Sequence, residues 1–207
     1  MYYCNQDQYE FYGDRVEQIC DFLTSGWGCI RKKDLMSLFR ITNMEYAHMI
    51  RFIRGKNYKV IEEDDYLYIE YYPGCPVQKK YMNALSVLTS IYNKNKDKTV
   101  TITDVVHTNI FLAKMFIQNS KTNQLRTYYV LDMAYITMPI YAMRDAILAE
   151  ESNGLDDTDK VIMIIYEDSE IDYLDTKLPL FYALMIEGEN EDYFEFYDNK
   201  QLKNDSE

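Results

Sequence analysis

The sequence predicts an α+β protein: three helices closed by a β-hairpin, then a linker helix, then a small mixed α/β domain. Three observations carry this. Apolar residues recur at helical spacing up to Gly55, and they change to short β-rich runs after it. A clear breaker, Pro73-Gly74-Cys75-Pro76, separates that part from the remainder. With 207 residues, 47% of them hydrophobic and 15% aromatic, the chain is too apolar for disorder. At that length it can bury about 70% of its unfolded surface.

The elements follow in order. Residues 1–13 read as a polar, Tyr-rich tail. Asp14 suits an N-cap for a helix whose Val16, Ile19, Cys20 and Leu23 share one face, and Ser25-Gly26 suits its end. An extended Cys29-Ile30 leads into a second helix, Arg31–Phe39. The turn Arg40-Ile41-Thr42-Asn43 offers Thr42 or Asn43 as the next cap. A third helix spans about Met44–Arg54 with Tyr46, Ile50 and Ile53 inward, and stops at Gly55. Two β-rich runs, Lys59–Glu62 and Tyr66–Tyr71, meet at the acidic turn Asp64-Asp65.

Helix, strand, helix, turn, helix and hairpin, over residues 14–75, resemble a winged helix-turn-helix. The resemblance implies that Met44–Arg54 enters the DNA major groove and that Asp64-Asp65 forms the wing tip. Glu62, Glu63, Asp64 and Asp65 depart from the basic wing usual in that family, because they would face phosphate.

Residues 76–93 form the linker, in which Val77–Tyr92 reads as an amphipathic helix with Tyr81, Ala84, Leu85, Leu88 and Ile91 on one face. Such a helix joins a winged helix to a second domain or to a dimer partner. Beyond the polar run Asn93–Lys98, residues 99–197 make the second domain. Val100–Val106 is strand-like, and Phe111–Gln118 and Leu125–Met133 flank a turn at Asn119–Asn123. Pro139 opens a helix to about Glu151, Val161–Tyr166 is a central strand, and Leu178–Ile186 reads better as helix than strand. Tyr193–Tyr197 is a last strand before the polar tail 198–207. A winged helix followed by such a domain resembles proteins of bacterial plasmids and conjugative elements. These include the replication-relaxation type, whose C-terminal part resembles a degenerate restriction-endonuclease fold, and mobile-element proteins of low-GC Gram-positive bacteria.

The formal net charge of −12 argues against nucleic acid until it is divided by segment. Residues 1–30 carry −4, residues 31–59 carry +6, residues 60–149 balance, and residues 150–207 carry −14. The basic island lies on the second and third helices. Arg31, Lys32 and Lys33 sit where the helix dipole disfavours cations, which makes sense if a phosphate approaches that end. On the third helix His48, Arg51, Phe52 and Glu45 point outward, with Arg54 and Lys56 on the flank. The DNA-binding set is therefore Arg31, Lys32, Lys33, Arg40, Asn43, His48, Arg51, Arg54 and Lys56. A solvated cationic face and a protein-binding winged helix, to which an outward Phe52 would fit, are the competing readings.

Catalysis is not expected. Asp175-Thr176-Lys177 is the nearest spelling of a metal-nuclease motif, but it follows a strand, and Glu167, Asp168, Glu170 and Asp172 read as a solvated loop. No Gly-rich phosphate loop and no Ser/His/Asp or Cys/His arrangement is readable; His107 stands alone. Cys4, Cys20, Cys29 and Cys75 contain no C-x-x-C pair, so no metal or cofactor is expected, and reduced thiols in the cytoplasm fit best. No run approaches the ~20 apolar residues of a membrane span. The expected partners are duplex DNA, a protein partner or a second copy.

Overall fold

The computed structural model describes residues 6–55, 59–63, 65–69, 79–94, 100–106, 111–136, 160–167, 180–188 and 192–198, together with Ala142, Asp145 and Glu170. The fold is α+β, and the chain divides into two units, Met1–Met82 and Asn83–Glu207.

Helix α1 runs from Gln6 to Phe22, so the segment read as a tail is helical from Gln6 onward. Nothing between Gln6 and Tyr12 breaks a helix, and Gly13 costs only about 1 kcal/mol there. Asp14 is consequently an exposed residue inside the helix and not its cap. The helix ends in a π-helical turn, Leu23–Trp27. Gly28, not Gly26, closes it, with φ 66° and its N–H donating to the Leu23 carbonyl at 3.1 Å.

Strand β1 (Cys29–Arg31) precedes α2 (Lys32–Leu38) and α3 (Asn43–Gly55), and the hairpin β2 (Val60–Glu63) and β3 (Tyr66–Ile69) follows. The three strands form an antiparallel sheet in the order β1-β3-β2. Thr42 is the cap of α3 through a reciprocal box: its hydroxyl accepts the Glu45 N–H at 3.3 Å, while Glu45 Oε2 accepts the Thr42 N–H at 2.7 Å. Val16, Ile19, Leu23, Ile30, Leu35, Tyr46, Ile50, Ile53 and Leu67 are buried as their spacing requires, and Met49 joins them. Cys20 and Cys29 are buried and in no disulfide.

Helix α2 ends in a Schellman motif whose left-handed residue is Arg40, at φ 49°. The Ile41 N–H donates to the Met36 carbonyl at 2.9 Å and the Arg40 N–H to Ser37 at 3.3 Å, while Ile41 is buried. A non-glycine residue is costly in this conformation. Arg40→Gly should therefore raise stability by about 1 kcal/mol, read from the urea midpoint of unfolding. An unchanged or lowered midpoint would refute this account of the turn.

The second unit is a six-stranded sheet in the order β4-β5-β6-β7-β8-β9. Its strands are β4 (Val100–Val106), β5 (Ala113–Asn119), β6 (Leu125–Asp132), β7 (Lys160–Ile165), β8 (Leu180–Ile186) and β9 (Tyr193–Asp198). β6, β7 and β8 are mutually parallel, and β4, β5 and β9 are antiparallel to their neighbours. The β5–β6 hairpin turns as expected, with Asn119 Oδ1 accepting the Lys121 N–H at 2.9 Å and Asn123 in the left-handed region. Of the helix expected from Pro139, only Ala142 and Asp145 are described, and both are helical.

The expected helix at Leu178–Ile186 is instead strand β8. Its run Leu-Phe-Tyr-Ala-Leu-Met-Ile has no polar face to show water, and seven residues suit a strand buried on both sides. One face of the sheet gathers Tyr129, Leu131, Val161, Met163, Ile165, Tyr182 and Leu184 into a core.

Helix α4 (Lys79–Lys94) meets the opposite face. Asn83 donates to Met185 Sδ at 3.6 Å, and Lys94 lies over the Phe196 ring at 4.3 Å. Over its centre the helix is buried on its polar side as well as its apolar one: every residue from Met82 to Thr89 is buried, including Asn83, Ser86 and Thr89. That stretch has no apolar face left for a second chain. Light scattering should accordingly return a mass near 24.7 kDa, and twice that value would show that the chain dimerises.

Candidate nucleic-acid interface

The expected DNA-binding residues all fall in the first unit, and the structure separates them by role. Arg31 belongs to β1, opposite Tyr66, and is half-buried. Lys32 begins α2; its Nζ lies 4.8 Å from the centroid of the Tyr46 ring, and its N–H donates to the Asp65 carbonyl at 2.8 Å. The N-terminus of α2 is thus partly covered by the hairpin turn, and buried Asp34 stands in its first turn. Both are favourable partners for the positive end of the helix dipole. Lys33 is half-buried beside them.

Tyr46 joins three elements. Its ring carries the Lys32 ammonium, and its hydroxyl donates to Glu62 Oε1 at 2.7 Å. Burial pushes the phenol above its ordinary pKa, and the Glu62 hydrogen bond and charge add to that. Arg54 donates to Glu62 Oε2 at 3.0 Å. Arg54 therefore bridges α3 and β2. Glu63 accepts the Tyr68 hydroxyl at 2.7 Å. Glu45 turns back to Thr42 and lies 4.0 Å from Arg15. The Thr42 N–H, followed by the Thr42 hydroxyl, holds its carboxyl below the usual range.

These internal contacts engage Glu45, Glu62 and Glu63. Met44, Ala47 and Arg51 are exposed on the outward side of α3 and His48 is half-exposed, all at helical spacing. Among the described residues, Arg51 makes no hydrogen bond or ion pair. Asn43 is exposed at the first position of α3, and Arg40 is exposed at the preceding turn. Lys56 and Asp64 lie outside the described residues. Phe52 is half-buried, so the exposed large apolar residue of this helix is Met44, 71% exposed.

The sequence reading missed a buried polar network in the second unit. Asp132 ends β6 at 2% exposure. Its Oδ1 accepts the Ala134 N–H at 3.0 Å, and its Oδ2 accepts the Tyr166 hydroxyl at 2.8 Å. Burial raises the Asp132 pKa, against the two donors, and Glu170 raises it further. Tyr166 is raised by burial and by Asp132, and hydrogen-bonds Asn83. A lone Asp closing the apolar run Tyr-Tyr-Val-Leu was the available signal. Glu170, expected in a solvated acidic loop, accepts the Tyr166 N–H at 2.7 Å and the Glu167 N–H at 3.2 Å. Asp168, Asp172, Asp175-Thr176-Lys177 and His107 lie outside the described residues. Among those described, no three His, Cys, Asp or Glu side chains gather where a metal ion could be held. No described helix is long and apolar enough to cross a membrane.

Compared with protein-family models, curated proteins and solved structures, the chain finds no match in any of the three.

Proposed function

We propose that residues 6–69 act as a winged-helix unit that binds duplex DNA, with α3 as the recognition helix, and that the protein binds without catalysing. The observation that supports this reading is the outward side of α3. It carries Arg51, His48 and Asn43 around the small Ala47, while Glu45, Glu62 and Glu63 are engaged inside the unit. Arg and Asn are the side chains that read guanine and adenine edges bidentately, and a small residue lets a helix approach the groove floor. The acidic hairpin is not suited to the flanking phosphates, so affinity would rest on α3 and on Lys33. Control of transcription or replication on a mobile element is the role that goes with this reading.

The test is fluorescence anisotropy of labelled duplex DNA against the full chain across a salt series. Binding should be measurable at low ionic strength and fall steeply with salt. No binding at low ionic strength rules the DNA reading out. In that event Met44 supports a second reading, in which the same helix face makes a protein contact, because an exposed Met in the first turn of such a face suits an apolar partner.

A further inference from the structure

The six-stranded sheet ends in β4 on one side and β9 on the other. Exposed edges present unpaired backbone donors and acceptors, and proteins protect them with bulges, Lys, Pro or a covering element. β4 has such protection: its register against β5 shifts between Ile102 and Asp104, a bulge that bends the edge. Among the described residues β9 shows none of these devices. Tyr193–Asp198 pairs with β8 residue for residue, and among the described residues it pairs with β8 alone. No Lys, Arg or Pro occurs from Phe181 to Asp198.

The edge is acidic and aromatic instead. Glu187, Glu189, Glu191, Asp192, Glu195 and Asp198 fall within or just before the strand; Asp192 and Glu195 are exposed, and Glu195 Oε2 accepts the Tyr197 hydroxyl at 2.6 Å, which leaves its other oxygen for a cation. Tyr193 is 50% exposed beside them. On the opposite side of the strand the Lys94 ammonium already sits over the Phe196 ring at 4.3 Å, so one aromatic side chain of β9 takes a cation within the fold.

We propose that β9 is a docking edge for an extended, Lys- or Arg-rich segment of a partner protein, which joins the sheet as a further strand. Main-chain hydrogen bonds would run along Tyr193–Phe196, and the cations would meet Asp192, Glu195 and the Tyr193 ring. A second copy of the chain is a poor occupant. Strand-to-strand pairing of two β9 edges would bring like carboxylates together and oppose two segments of −14 each.

The probe is a fluorescein-labelled peptide alternating Lys with Val, titrated into the full chain, with a Glu-for-Lys peptide as control. The Lys peptide should bind and the Glu peptide should not. Glu195→Lys, at an exposed position, should weaken binding at least about tenfold while circular dichroism stays unchanged. Two further peptides carry N-methyl groups on alternate amides, one for each edge of the strand. One of them should lose binding and the other retain it, since only one edge faces β9. Equal binding by both N-methylated peptides would mean charge attraction without strand addition and would overturn the proposal. So would equal binding of the Lys and Glu peptides, or a doubled mass abolished by Glu195→Lys. Binding that appears only after deletion of residues 199–207 would assign the edge to the chain's own tail and overturn the partner.

Discussion

Reversing Lys33 and Arg51 together to Glu should lower affinity for duplex DNA by more than about 100-fold at low salt and flatten its salt dependence. Arg51 stands exposed in the middle of α3's outward side, and Lys33 lies on the adjacent helix. A cation that neutralises one phosphate contributes a slope of about 0.9 in log affinity against log salt, so losing two should reduce it by about 2. Lys32 belongs in a separate variant. Its ammonium lies over the Tyr46 ring, whose hydroxyl bonds Glu62, so a carboxylate at residue 32 would disturb the fold as well as any DNA contact. The single variant Arg51→Ala distinguishes its role. If it reads a base, it should cost about 1–3 kcal/mol and relax specificity at one position while leaving the slope nearly unchanged. If it neutralises a phosphate, the loss should be uniform across sequences. Arg54→Ala should behave differently, because that guanidinium is held by Glu62; an exposed pair of this kind is worth about 0–1 kcal/mol of stability. A double reversal that leaves both affinity and slope intact would remove α3 from the interface.

Tyr166→Phe should destabilise the second unit by about 1.5–3 kcal/mol at neutral pH, because it takes a donor from a buried carboxylate. The loss should shrink in acid. Burial raises Asp132 above its ordinary pKa in the folded chain, so the native state holds that proton more readily than the unfolded state does. The associated stability is fully present below the ordinary Asp value and declines as pH rises through the raised folded one. Removing the Tyr166 hydroxyl removes a group that favours the ionised form. The variant's Asp132 should therefore be raised further, and its decline should continue to higher pH and be larger than that of the natural chain. Urea unfolding followed by far-UV circular dichroism, in acid and at neutral pH, measures both. An equal difference at the two pH values would mean that Tyr166 acts by packing and not through Asp132.

Much of the fold was legible because local spacing was consistent with the tertiary answer. Thr42 and Glu45 spell the cap of α3, Asn119 and Asn123 spell the β5–β6 turn, and Val161–Ile165 spells a strand buried on both sides. The misreadings have definite causes. Leu180–Ile186 is apolar at every position, so periodicity was silent, and its state was decided by pairing with β7 and β9. The stripe on α4 was real, but burial of both its polar and apolar sides comes from the packing around it. At the candidate interface the residue types were legible while their engagements were not. Arg54 and Arg51 look alike three residues apart, and only the fold brings Glu62 to one of them, 3.0 Å away.

By itself, then, the sequence determined the α+β class, the order of elements and the segregation of a basic island from an acidic C-terminal part. Those depend on composition and short-range spacing, which neighbouring residues settle among themselves. The tertiary structure alone decided which cations are committed to clamps, which carboxylates are engaged, that Asp132 is buried and that β9 lies at an edge. Each of these depends on residues far apart in the chain, and their meeting is set by packing, to which local spacing carries no reference.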